Sequence, residues 1–92
     1  MTYLLCRNRV PDFPRWREVF ASHEPAHLEA GLRLLWLALE ESKNVFFMFE
    51  VASMEKAQKF IGNADAAKAA SDSGVIDGEY HFIEDAGGYR SE

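Results

Sequence analysis

Two stretches of this chain are apolar at every position. Leu34, Leu35, Trp36, Leu37, Ala38 and Leu39 run without a polar residue, and so do Val45, Phe46, Phe47, Met48 and Phe49. A strand with one wet face alternates apolar and polar residues; a strand apolar throughout is covered on both faces. A polar turn, Glu41-Ser42-Lys43-Asn44, separates the two runs. Residues 31–51 therefore predict a hairpin covered on both sides.

The rest of the pattern supplies one of those covers. Tyr3 to Val10 reads as a first strand, ended by Pro11, which has no ladder donor. Asp12 caps the next helix, and Pro14 falls in its first turn, where a missing N–H is harmless. In DFPRWREVFASH, the residues Phe13, Trp16, Phe20 and His23 recur every three or four positions and form one stripe. Pro25 interrupts that helix, leaving EPAHLEAG as a short helical turn that closes at Gly31. After the hairpin, Ser53 caps SMEKAQKFIGN, which turns Ala57, Phe60 and Ile61 inward. ADAAKAASDSG is a further helical piece ending at Gly74, and GEYHFIEDA is the last strand.

Strand, helix, strand, strand, helix, strand: right-handed crossovers fold that order into an antiparallel four-stranded sheet with both helices on one face. The predicted class is α+β, a ferredoxin-like βαββαβ plan. Residues 1–86 are expected as a single domain and 87–92, GGYRSE, as a polar tail. The other face of the sheet has no helix to cover it. The expected cover is an identical subunit, the two sheets meeting face to face as a dimeric barrel.

Composition sharpens this picture. A lone chain of this size buries only about 60–65% of its unfolded surface. An apolar fraction of 48%, with seven Phe and two Trp, is rich for 92 residues and fits a buried interface. Fifteen acidic residues against ten basic give a net charge of −5, with no basic stripe. That charge argues against nucleic acid and against an anionic membrane surface as partners. No apolar run approaches the ~20 residues needed to span a bilayer. MTYLLCRNRV lacks the leading basic segment and the cleavage site of a signal peptide. Cys6 is the sole cysteine, so no intrachain disulfide forms, and the expected location is the reducing cytoplasm.

With these elements in place, residues 3–84 resemble the dimeric α+β barrel superfamily, near its small members related to antibiotic-biosynthesis monooxygenases. The resemblance rests on RVPDFPRWREVF, on AGL entering the second strand, on FEVASMEKAQKF and on SGVIDGEY. It implies a homodimer with a pocket in each subunit between sheet and helices. Cofactor-free monooxygenases, polyketide cyclases, lactone isomerases and haem-degrading enzymes share that architecture. Haem-degrading members pair an Asn late in the first strand with a Trp in the second helix and a His beyond it. Here Asn8 matches, Phe60 replaces the Trp, and Ala70 or a neighbour stands in place of the His. Without that iron ligand haem degradation is not expected, and no cofactor is.

Candidate chemistry is sparse. Asn8 shares strand parity with Leu4 and Cys6, so it faces the helices if they do, and a buried amide can donate to a substrate carbonyl or enolate. His23 continues the apolar stripe of the first helix, where an imidazole can move a proton or simply pack. The bland alternative has His23 under Trp16 and Phe20 and His27 exposed. His23 and His27 share the i, i+4 spacing of metal ligands, but Pro25 separates them and no third ligand is evident, so no metal is expected. Trp16, Phe20, Trp36 and Phe60 line the expected pocket, either stacking on a flat ligand or filling the core. On that parity Arg7 and Arg9 face away from the helices, where Arg7 is a candidate for an interface ion pair with Glu50; in the alternative both lie near the sheet edges and reach water. Cys6 reads as a buried inert thiol. Asp12 and Asp77 read as capping or turn residues.

Two readings of function follow. In the first, a small aromatic or polyketide-like molecule enters the pocket, Asn8 polarises a carbonyl, His23 moves a proton, and cofactor-independent oxygenation, cyclisation or isomerisation results. In the second, the chain is a non-catalytic small-molecule-binding or assembly module. A cavity of a few hundred Å³ beside His23 and Asn8 favours the first; a packed interior favours the second.

Overall fold

The expected caps appear where the sequence puts them. In the computed structural model, which describes residues 1–62, 68, 70–72 and 74–86, the Asp12 side chain accepts from the Arg15 N–H at 3.2 Å and Ser53 accepts from Lys56 at 3.3 Å. They start helix α1 (Phe13–Ser22) and helix α3 (Met54–Ile61). Pro25 does not abolish the helix after α1. It sits in the first turn of a separate six-residue helix, α2 (Glu24–Glu29), where proline is tolerated. Gly31, at φ +75, follows α2 in the left-handed conformation that glycine reaches without a Cβ clash. Lys68 and 70–72 are helical. That helix closes at Gly74, where φ is +77 and the Val75 N–H donates to the Ala70 carbonyl at 3.0 Å. The rest of the expected alanine-rich piece and the 87–92 tail lie outside the described residues.

Four strands complete the βαββαβ plan: β1 (Thr2–Arg9), β2 (Leu32–Glu40), β3 (Asn44–Val51) and β4 (Asp77–Glu84). They form one antiparallel sheet in the order β2-β3-β1-β4, the ferredoxin-like arrangement. Parity along the central strands is clean. Leu4, Cys6 and Asn8 of β1 and Val45, Phe47, Phe49 and Val51 of β3 are buried against the helices. Trp16 of α1, 2% exposed, is the largest fully buried side chain of that core. Tyr3, Leu5, Phe46 and Met48 take the alternate positions on the other face, which no described helix covers.

Strand β2 breaks this parity, and the break moves Trp36. Leu32 pairs with Val51 and Leu34 with Phe49, on the helix side. The register then shifts between Leu34 and Trp36, so Trp36 pairs with Met48 and Leu37 with Phe47. One extra residue in a strand reverses the facing of all that follow. Trp36, expected in the pocket, lies instead on the uncovered face, 41% exposed.

The expected polar turn is shorter by one residue, because Asn44 opens β3. Its tightness has a local cost. Glu41 and Ser42 hold φ values of 50 and 58, a region that disfavours residues bearing a Cβ. Ser42→Gly should therefore stabilise the chain by about 0.5–1 kcal/mol, seen as a higher urea midpoint at unchanged slope. An unchanged or lower midpoint would show that the turn holds no such strain.

Candidate functional site

Between sheet and helices lies a cavity of about 300 Å³. Its floor is Leu4, Cys6 and Asn8 of β1 with Phe47 and Phe49 of β3, and its roof includes Trp16, Phe20, His27 and Phe60. Four of the expected lining and site residues thus meet there with His23: Asn8, Trp16, Phe20 and Phe60. Trp36 is absent because of the β2 bulge. The walls are mostly rings. Trp16 stacks on Phe20 at 4.6 Å between centroids, and Phe20 meets Phe47 edge-on at 5.2 Å.

The two histidines reverse the bland expectation. His23 is the hinge between α1 and α2, at φ −97 and ψ 4, so the backbone turns there and His23 lines the cavity half-exposed. Restarting the helix at Pro25 swings His27 inward. His27 is 9% exposed and sits within 4.9 Å of the Phe20 ring, 5.1 Å of Phe49 and 5.5 Å of Phe60. This aromatic box penalises the imidazolium; burial first, and the nearby charge of His23 second, push the His27 pKa down to about 4. The ring is therefore neutral at pH 7. No hydrogen bond ties its nitrogens to another described residue, and none of its polar atoms is sealed from space; the ring lines the cavity with its nitrogens open. A second hollow of about 390 Å³, between α1, α2 and β2, shares Phe20, His27 and Phe49 with the first, which makes His27 part of the partition between them. The signal for His27 was its place opposite Phe60 once Pro25 restarts a helix, which spacing along one continuous helix conceals.

At the opposite wall, Asn8 is 6% exposed. Its amide has one orientation that satisfies both ends: Oδ1 accepts from the Trp16 indole N–H at 3.1 Å, and Nδ2 donates to the Arg7 carbonyl at 3.1 Å. The Tyr80 hydroxyl of β4 lies 3.3 Å from the same amide. Tyr80 was not among the expected site residues. Its position follows from β4 pairing, which sets it opposite Cys6 and sets Gly78 opposite Asn8. Glycine is needed there: a Cβ on Gly78 would come within 2.7 Å of the Asn8 amide and 3.0 Å of the Arg7 carbonyl. Burial raises the Cys6 thiol to about 12, which keeps it protonated and unreactive.

On the uncovered face, Arg7 and Glu50 of one chain stand apart; the expected interface pair would join Arg7 of one subunit to Glu50 of the other. The β1–β3 register places Tyr3 opposite Glu50 and Arg7 opposite Phe46, four residues further along. Arg7 donates instead to Asn44 at 2.8 Å and pairs with Asp77 and Glu79 at 3.1 and 3.2 Å. Glu50 pairs with Arg33 at 3.0 Å. Asp77, expected as a turn residue, opens β4 and also accepts from Arg9 at 2.8 Å. Arg9 foremost, then Arg7, holds the Asp77 carboxyl below its usual range, and Arg7 does the same for Glu79. Among the described residues no three His, Cys, Asp or Glu side chains are gathered as metal ligands, and no helix is long and apolar enough to cross a membrane.

Comparison with known proteins places this fold. No family model matches the chain and no curated protein does. Solved structures match over nearly the whole length. A NIPSNAP domain protein from Burkholderia xenovorans, described as uncharacterized, superposes with a TM-score of 0.68 at 11% identity, covering 99% of this chain and 100% of that one. A candidate antibiotic biosynthesis monooxygenase from Deinococcus radiodurans gives 0.69 at 10%, covering 100% and 99%. A dimeric ferredoxin-like protein from an uncultured marine organism gives 0.57 at 16%, covering 98% and 92%. At these identities what is shared is the ferredoxin-like fold.

Proposed function

We propose that this chain works as a homodimer whose cavity takes a small aromatic ketone or polyketide-like molecule and moves a proton on it without a cofactor. The observation that carries the reading is His27: a neutral, unpartnered imidazole, nine-tenths buried, facing an aromatic-walled cavity of about 300 Å³. A neutral imidazole open to the cavity can take a proton from a carbon next to a carbonyl, leaving an enolate; its lowered pKa makes it a weaker base than a free histidine, so the step depends on holding the ketone in place. Cofactor-free oxygenation, cyclisation and isomerisation all begin with that step. His23, half-exposed at the mouth of the α1–α2 junction, is placed to pass the proton to water. Among structures of this fold is a candidate antibiotic biosynthesis monooxygenase, which is in keeping with the reading. The homodimer is supported by the apolar band on the uncovered face, where Trp36 and Ile83 stand 41% and 38% exposed beside Leu5, Phe46 and Met48, and by a fold neighbour described as dimeric.

The expected result needs no knowledge of the natural substrate. In D2O, 2-tetralone exchanges the protons beside its carbonyl, which NMR follows directly. The protein should accelerate that exchange by about 10–10³-fold, below the usual reach of a placed general base because the lowered pKa of His27 weakens it. His27→Phe, which fits the ring cluster, should abolish the acceleration. If 2-tetralone binds and exchanges no faster than in buffer, the proton-moving role is lost. The cavity is then a passive binding site, the second function read from the sequence.

A further inference from the structure

The partners of the Asn8 amide fix which way round it sits. An indole N–H can only donate and a peptide carbonyl can only accept. Trp16 therefore claims the Asn8 oxygen and the Arg7 carbonyl claims one N–H of its nitrogen, each at 3.1 Å. The atom facing the Tyr80 hydroxyl at 3.3 Å is then the amide nitrogen, whose second N–H points to the hydroxyl oxygen. A hydroxyl that accepts from Asn8 keeps its own proton for another partner. No other described group bonds that hydroxyl, and Tyr80 lines the cavity.

We infer that Tyr80 is the hydrogen-bond donor of the cavity and that Asn8 is a positioning residue, locking Trp16 and turning the Tyr80 proton toward an acceptor oxygen of the ligand. The inference rests on the cavity being a ligand site, as proposed above, and assigns its polarity. A carbonyl or enolate oxygen seats at the β1–β4 wall, and the acidic C–H faces the His27 side. Burial, with Cys6 second, raises the Tyr80 pKa, so the hydroxyl remains a donor at neutral pH. Gly78 is part of the device, since its missing Cβ lets β4 close on the Asn8 amide.

The matched probes are 2-tetralone and tetralin, which differ in the carbonyl. Calorimetric titration of the whole chain should show 2-tetralone binding about tenfold tighter. The infrared C=O stretch of bound 2-tetralone should move to lower frequency. In Tyr80→Phe the preference should vanish and the stretch should return toward that of the ketone in an apolar solvent, while tetralin binds as before. In Asn8→Ala the donor remains but is no longer turned toward the ligand, so the stretch should be lowered less than in wild type; lowering as large as in wild type would take the positioning role from Asn8. Tyr80 is 45% exposed, so Tyr80→Phe is expected to fold and decides the matter alone if Asn8→Ala does not. A lowered stretch that survives Tyr80→Phe overturns the inference and leaves the ligand site standing. Failure of both probes to bind wild-type protein overturns the ligand site and the inference together.

Discussion

Acidifying the protein from pH 7 to pH 5 should cost about 2 kcal/mol of folding stability, and about 3 by pH 4, with His27 as the main source. The folded chain holds this imidazole near 4 against an ordinary value of 6.5. Between those values the unfolded chain binds a proton that the folded chain refuses. Stability is therefore fully present above pH 6.5 and is lost as pH falls toward 4, after which the folded ring protonates too and the loss stops growing. These figures are ceilings, because the cavity edge of the ring meets solvent that screens it. The Asp77 and Glu79 carboxyls, held low by Arg9 and Arg7, lose their pairing only at more acid pH and occupy a separate window. Urea unfolding of wild type and His27→Phe at pH 7 and pH 5 separates the two sources. The variant should show little of the drop, with stability at pH 7 close to that of wild type. Equal drops in both proteins would mean that His27 is not the buried base described here.

The fold was legible because its signals are local and mutually consistent. Asp12 and Ser53 cap where expected, Gly31 and Gly74 close their helices, and the strand parity that puts Asn8 inward with Leu4 and Cys6 holds along all of β1. What misled was each place where a single residue of register carries the outcome. The β2 bulge lies inside an all-apolar run, so no polar residue marks the change of face, and Trp36 leaves the pocket without any sign in its spacing. The hinge at His23 has a similar effect on helical phase. Counting along one continuous stripe favours His23, whereas a helix restarted at Pro25 brings His27 against Phe20, Phe49 and Phe60. Tyr80 and the partners of Arg7 depend on which strand neighbours β1. Sequence order does not reveal that Asp77 and Glu79 flank Arg9 and Arg7 across β4. Local chemistry thus found the walls of the cavity, and long-range pairing decided which polar atoms face into it.

Met48→Glu should turn the proposed homodimer into monomers. Met48 is central on the uncovered face: β3 sets it between Leu5 of β1 and Trp36 of β2. Arg33 with Glu50 and Arg7 with Asp77 and Glu79 stand one step from Met48 along the face, and His81, in the same cross-strand row, lies against Glu79, so each of these nearby basic groups already has a carboxylate. A carboxylate there would be buried without a partner in a face-to-face assembly. An uncompensated buried charge costs about 3–5 kcal/mol. Two-fold symmetry brings the same charge from both subunits, so the dissociation constant should rise by roughly four orders of magnitude or more. Met54→Glu is the matched control, since Met54 is 38% exposed but begins α3 on the helix side, where a carboxylate at a helix N-terminus is favourable. Sedimentation at micromolar concentration should give a dimer for wild type and Met54→Glu and a monomer for Met48→Glu. The cavity lies on the opposite side of the sheet, so a folded Met48→Glu monomer should still bind 2-tetralone. A wild-type monomer at that concentration, or a Met48→Glu dimer, would mean that the apolar band of Leu5, Trp36, Phe46 and Met48 is not where two copies meet.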